Sequence, residues 1–220
     1  MANTTFNGKV RSENGFAQIT KTAATGAITE NTTIDSSGNV SAGGTLSVTG
    51  RSTLTGNTIA TTAGTGITTG TGTVYEAGVI KIGEVFHTTI LIDLTGLASS
   101  GSGDIIGKAA TANSHIGQIT AAINGTVLGG KLTCLEAPAG GDPDINLWYA
   151  DEATGTEDAA ITALTNQVQM CDSGDLALNS VISIPTPPAA DKYIYMVTGA
   201  ATNADYTAGK LLIEFFGYSA

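Results

Sequence analysis

The side chains best suited to chemistry in this chain are two histidines, two cysteines and a few clustered carboxylates. His87 lies in EVFHTTILI and His115 in NSHIGQI. Neither has a second histidine at a ligand spacing, so both read as structural residues. Cys134 and Cys171 lack C-x-x-C spacing, which points to two buried free thiols and away from a zinc site or disulfide framework. No serine sits in G-x-S-x-G, no G-x-G-x-x-G occurs, and none of the Gly-Lys pairs is followed by the Ser or Thr of a phosphate loop. Two carboxylate clusters remain, Asp142 with Asp144, and Asp151 and Glu152 with Glu157 and Asp158. Such oxygens suit Ca²⁺, but neither cluster fits the twelve-residue calcium loop, and solvated acidic loops are the expectation. The reading is a protein with no catalytic residues, no metal and no cofactor.

The composition says what kind of elements must carry these residues. The chain has 220 residues, 41% of them apolar, which supports at least one real core. Charged residues are only 13%, while Gly, Thr, Ser and Ala abound, a profile of short strands and many turns. No apolar run approaches the ~18 residues of a membrane span, and MANTTFNGKVRSENGF has neither the basic start nor the apolar middle of a signal peptide. Synthesis in the cytoplasm of the host cell, without export by that route, is the expectation, with no membrane partner.

Charge divides the chain. Residues 1–75 hold four bases against three acids, and the remainder holds five bases against sixteen acids. This fits an N-terminal part that lies against something and an acidic C-terminal part that faces water. It argues against nucleic acid as a partner, since phosphate neutralisation needs basic patches.

Between residues 36 and 73, 26 of 38 residues are Ser, Thr or Gly and Arg51 is the sole charge. The apolar positions Val40, Leu46, Val48, Leu54, Ile59, Ile67 and Val74 follow neither the helical period nor sustained alternation. Short strands with one or two aliphatics each, broken by glycine turns, suit this spacing. One such chain has almost no core, but three wound about a common axis bring three aliphatics together at each level. A Gly/Thr/Ser linker is the alternative. The spaced aliphatics favour a homotrimer with Val40, Leu46, Val48, Leu54 and Ile59 at its centre.

The opening MANTTFNGKVRSENGF, followed by TTIDSSGNVSAGGTLSVTGRSTLTGNT, resembles the N-terminal portion of virion structural proteins of tailed bacteriophages, particularly capsid decoration (cement) proteins and fibre-like appendages. The resemblance covers about the first 75 residues and is compositional. It implies an attachment arm over residues 1–35, a threaded trimeric β-segment over 36–75, and a projecting β-domain over 76–220. It also implies the phage major capsid protein as partner and the capsid exterior as location. Phe6, Val10 and Phe16, with Lys9 and Arg11 beside them, are the residues expected to dock on the particle.

Beyond residue 75 the text turns to denser apolar runs between turn signals. AGVIKIGEVFHTTILIDLTGL supplies one or two strands, and HIGQITAAINGTVLGGKLTCLEAP reads as a hairpin about Asn124-Gly125. DINLWYAD, AAITALTNQVQMCD, NSVISIP, KYIYMVTG and KLLIEFFGY complete about eight strands. DAAITALTNQVQM suits a helix equally well. An all-β sandwich, jelly-roll-like, is the expected fold. Trp148, Tyr149, Tyr193, Tyr195, Phe215 and Phe216 read as core or sandwich-edge residues, with a glycan platform as the sharper alternative.

The trimer reading predicts that replacing Leu46 and Leu54 together by Ser releases monomers, because each change is repeated in all three chains. Light scattering reads this directly, and an unchanged oligomer mass refutes the packing.

Overall fold

The computed structural model describes residues 62–219, the strand residues 16–21, 28–34 and 40–42, and Thr25. The chain is nearly all β, with 50% in strands and 7% in helix, as the composition leads one to expect. It divides into two compact units, Met1–Thr55 and Gly56–Ala220.

The first unit contains an antiparallel three-stranded sheet of β1 (Phe16–Lys21), β2 (Ile28–Ile34) and β3 (Val40–Ala42), in that order. Five of the seven residues of β2 are Ile or Thr, whose branched Cβ favours extended backbone. Strand structure thus begins inside the segment that the sequence reading treats as an arm.

The second unit is a sandwich. Its strands are β4 (Val74–Ile82), β5 (Val85–Asp93), β6 (Ala98–Ser99), β7 (His115–Ile119), β8 (Thr126–Ala139), β9 (Ile145–Ala150), β10 (Val168–Cys171), β11 (Val181–Ile184), β12 (Lys192–Thr198), β13 (Ala204–Asp205) and β14 (Ala208–Tyr218). One sheet has the order β11-β8-β14-β5-β4 and the other β10-β9-β12-β7, with β6 and β13 forming a short pair. All these pairings are antiparallel. From β5 onward the chain crosses repeatedly between the sheets: β5, β8, β11 and β14 lie in one, and β7, β9, β10 and β12 in the other.

Alternation explains the layers. Along β5, Phe86, Thr88, Ile90 and Ile92 are buried, while Val85, His87, Thr89, Leu91 and Asp93 take the other face. Ile90, Ile92, Leu132, Leu211, Ile213 and Phe215 of the larger sheet share one apolar cluster with Ile116, Leu147, Ile194 and Met196 of the smaller. At about 25 cal/mol per Å² this burial is the main driving force for the fold. The smaller sheet packs on its outer side too. There Tyr195 and Val197 of β12 and Ala150 of β9 are buried with Ile105 and Ile161, which the loops bring over.

Two expectations need correction. Asn124-Gly125 is not a hairpin turn, because β7 pairs with β12 in one sheet while β8 pairs with β14 and β11 in the other. The pair instead ends a single helical turn, α2 (Ala121–Asn124), whose first turn is capped by the Thr120 hydroxyl accepting from the Ile123 N–H at 3.3 Å. Asn124 is buried. Its Oδ1 accepts from the Thr120 N–H and its Nδ2 donates to Thr88 Oγ1, each at 2.9 Å. These bonds fix a crossover between sheets, which a local Asn-Gly signal cannot distinguish from a hairpin. Gly125 has φ 66, and a Cβ there would lie 2.4 Å from the Tyr218 carbonyl oxygen.

The body also starts before residue 76. Helix α1 (Thr65–Thr68) buries Ile67 in the main core, and the Gly66 N–H donates to the Asn113 carbonyl at 3.1 Å. A Cβ at Gly66 would come within 2.1 Å of Ser114 Oγ, so this glycine permits close approach and is no mark of a linker. Of the two readings of DAAITALTNQVQM, the strand holds: a 3-10 turn, Ile161–Ala163, leads into β10. Asn166 takes a left-handed φ of 50 between them, which a continuous helix does not allow.

Asn124→Ala strands the Thr120 N–H and the Thr88 hydroxyl. It is expected to cost about 1–3 kcal/mol in urea unfolding, against a near-neutral result for Leu178→Ala, which lies at an exposed position. Equal stabilities of the two variants exclude this role for Asn124.

Candidate functional site

Of the residues expected to dock on a particle, Phe6, Lys9, Val10 and Arg11 lie outside the described residues, as do Leu46, Val48, Leu54 and Ile59 of the expected trimer core. Phe16 opens β1 and Val40 opens β3, and both pair with Ile34 of β2. One cross-strand row therefore joins a residue assigned to the arm with one assigned to the trimeric segment.

On the sandwich, a hollow of about 310 Å³ is lined by His115, Gln118, Thr120, Tyr193 and Thr62, with Ile123 and Ala153 at its apolar side. β7 supplies His115 and Gln118, and the adjacent β12 supplies Tyr193 opposite Gln118. The His115 ring meets Tyr193 edge-on at 4.9 Å. Burial lowers the His115 pKa, so the imidazole is neutral near pH 7, and its Nδ1 has no hydrogen-bond partner among the described residues. The surface offers one aromatic ring, an amide and hydroxyls, which suits a small polar ligand.

Both cysteines are buried free thiols, as expected. Burial pushes the Cys171 thiol up to about 11 and raises that of Cys134, which leaves neither reactive as a thiolate. The acidic loops are mostly built into the backbone. Glu152 accepts from the Thr165 N–H at 2.9 Å, Glu157 from the Ala110 N–H at 2.7 Å, and Asp151 is paired with Lys192 and Asn166. The structure brings Asp172 and Asp175 near Asp144, and burial together with these charges and Asp142 raises the Asp144 pKa. Among the described residues, no three or more His, Cys, Asp or Glu form a group able to hold a metal ion.

The aromatics divide as their strands dictate. Tyr195 and Phe215 are fully buried, Trp148 and Tyr193 edge the outer cluster of the smaller sheet, and Phe216 is exposed. The outward face of the five-stranded sheet was missed by sequence reasoning. It carries Ile80, Ile82, Val85, Leu128, Phe216 and Tyr218, all exposed, around a central ion cluster. There Glu214 lies 2.9 Å from both Lys131 Nζ and His87 Nε2, and the His87 ring stacks on Phe216 at 4.8 Å. A second group joins Lys210 to Asp93 at 3.4 Å and to Glu136 at 2.5 Å. The signal was in the text: LLIEFFGY carries apolar residues on both faces, interrupted on the outward one only by Glu214, which a strand with one solvated face does not need.

Among the described residues these features define an antiparallel β-sandwich with an acidic surface, a polar hollow at His115 and an extended apolar face. In comparisons with known protein families, curated proteins and solved structures, the chain finds no match.

Burial alone would raise the Glu214 pKa, but the hydrogen bonds from Lys131 and His87 outweigh it and hold the carboxyl below its usual value of 4.5. The folded-state value is depressed, so this contribution is present above the usual carboxylate pKa and is lost as pH falls through the depressed one. Glu214→Gln is expected to cost about 1–2 kcal/mol near neutral pH and nothing in strong acid. Urea midpoints across that range read the difference, and a gap that stays constant with pH rules the ion cluster out as its source.

Proposed function

We propose that this protein is a structural, non-catalytic component of a phage particle, a homotrimeric decoration protein that binds the outside of the capsid and stabilises it. The observation that carries the reading is that the structural and charge boundaries coincide. Met1–Thr55 holds four bases against three acids, whereas Gly56–Ala220 holds five against sixteen. A near-neutral unit suits attachment to a particle, and a strongly acidic one suits projection into solvent, where like charge keeps particles dispersed. The order in which the chain visits the two sheets supports a jelly-roll reading of the sandwich, an architecture common in viral capsid and lectin domains. Three attachment units on one trimer bind a capsid lattice far more tightly than one, and each contact opposes the outward pressure of packaged DNA.

The hollow at His115 and Tyr193 favours a second reading, a head or tail fibre whose body binds a surface glycan. Electron microscopy of particles separates the two by position, since a decoration protein covers the head in many copies and a tail fibre appears in few. Deleting residues 1–15, which spares β1 and removes Phe6, Lys9, Val10 and Arg11, is expected to leave the oligomer intact and abolish binding to particles that lack the native protein. Retained binding refutes the attachment assignment. Saturable binding of the full protein to host cells, lost in Tyr193→Ala, favours the glycan reading instead.

A further inference from the structure

The two sheets of the sandwich treat their outer faces differently. The smaller sheet's outer face is covered by the chain's own loops, which bring Ile105 and Ile161 onto Tyr195 and Val197. The larger sheet's outer face has no such cover among the described residues. Its cross-strand rows run Ile82, Val85, Tyr218, then Ile80, His87, Phe216, then Gly78, Thr89, Glu214, Lys131, then Glu76, Leu91, Leu212, Thr133, Val181. Ile82 is 74% exposed, Leu128 66%, Val181 61% and Ile80 55%. So many aliphatics on one sheet face exceed what isolated surface residues explain.

From these observations we propose that this face is the contact between copies of the chain's own sandwich body, a deepening of the trimer reading given above. Size supports a second copy. Four strands of at least nine residues and the four-residue β11, rising ~3.3 Å per residue and lying ~4.8 Å apart, give a footprint of roughly 600 Å². Stable contacts take about 600–1,000 Å² from each partner. Charge supports it too. The body's excess of acids repels another copy at most orientations, but this face is less acidic than the rest: Lys131 and Lys210 pair with Glu214, Asp93 and Glu136, and Glu76 is the one further acid in its rows. The face also has a hollow of about 300 Å³ at Gly78, bounded by Thr89, Leu91 and Leu212, to receive a neighbour's protruding aliphatic.

Gly78 gives a clean test, because a Cβ there would meet nothing within 4 Å and a side chain is accommodated within one copy. Single cysteines in the full chain at Ile80 and Phe216, with Leu178→Cys as an exposed control, are labelled with a maleimide, and the oligomer mass is read by light scattering. The native thiols at Cys134 and Cys171 are buried and stay silent. Labelling at 80 and 216 is expected to be at least about tenfold slower than at 178, since contact cores exclude water. Adding Gly78→Arg restores it. Control-rate labelling at 80 and 216 in a protein that is still oligomeric overturns this inference and leaves the trimer reading intact. Control-rate labelling in a monomer overturns both. Protection that appears only when capsids are added assigns the face to a particle protein and overturns the inference.

Discussion

The larger sheet depends on where β14 lies. It pairs with β5 from Lys210 to Tyr218 on one side and with β8 on the other, so it supplies the ladder between the β4–β5 hairpin and the β8–β11 pair. Without it those two halves share no hydrogen bonds. Its inward residues Leu211, Ile213 and Phe215 also lie in the main core, so the ladder and the core form together. β5 and β14 are more than a hundred residues apart in sequence. Closing this sheet is therefore a non-local event, of the kind that makes sandwich folding slow relative to helical bundles.

The second constraint is that β12 serves two interiors. Ile194 and Met196 face the main core, while Tyr195 and Val197 face the loops outside. The Tyr195 hydroxyl donates to the Glu152 carbonyl at 2.6 Å and accepts from the Gly155 N–H at 3.2 Å, which ties the acidic loop down over the sheet. The carboxylates that might have suggested a metal site thus belong to loops held in place by an aromatic side chain and by backbone donors.

Much of the sandwich was legible because its strands are punctuated by turn residues. INLWYA, VISI, KYIYMVT and KLLIEFFGY stand out by composition, and VYEAGVIKIGEVFHTTILID divides at Gly83-Glu84 into two strands. What failed was everything that depends on a distant partner. Asn124-Gly125 carries the chemistry of a hairpin turn, and only Thr88, in another strand, reveals its use as a crossover. Gly66 looks like linker because the Ser114 it packs against is far along the chain. Of the candidate site, Phe16 and Val40 were found as apolar residues but not as members of one strand row. The face around Glu214 stayed hidden because a strand with two apolar sides does not say which side is covered.

Helix α1 gives the chain a mechanical property. Tension reaching the body from residues before Thr62 meets α1 first, before any strand of the sandwich. There Gly64 and Gly66 are hydrogen-bonded to the carbonyls of His115 and Asn113, and Ile67 is anchored in the core. This single turn works as a cleat, tying the incoming chain to the start of β7 in the smaller sheet. β4, the next element, is an edge strand of the larger sheet, so the two anchoring points in sequence grip opposite layers of the sandwich. A pull on the chain is thereby borne by α1 before it reaches the larger sheet, and the edge strand is protected from being peeled away first.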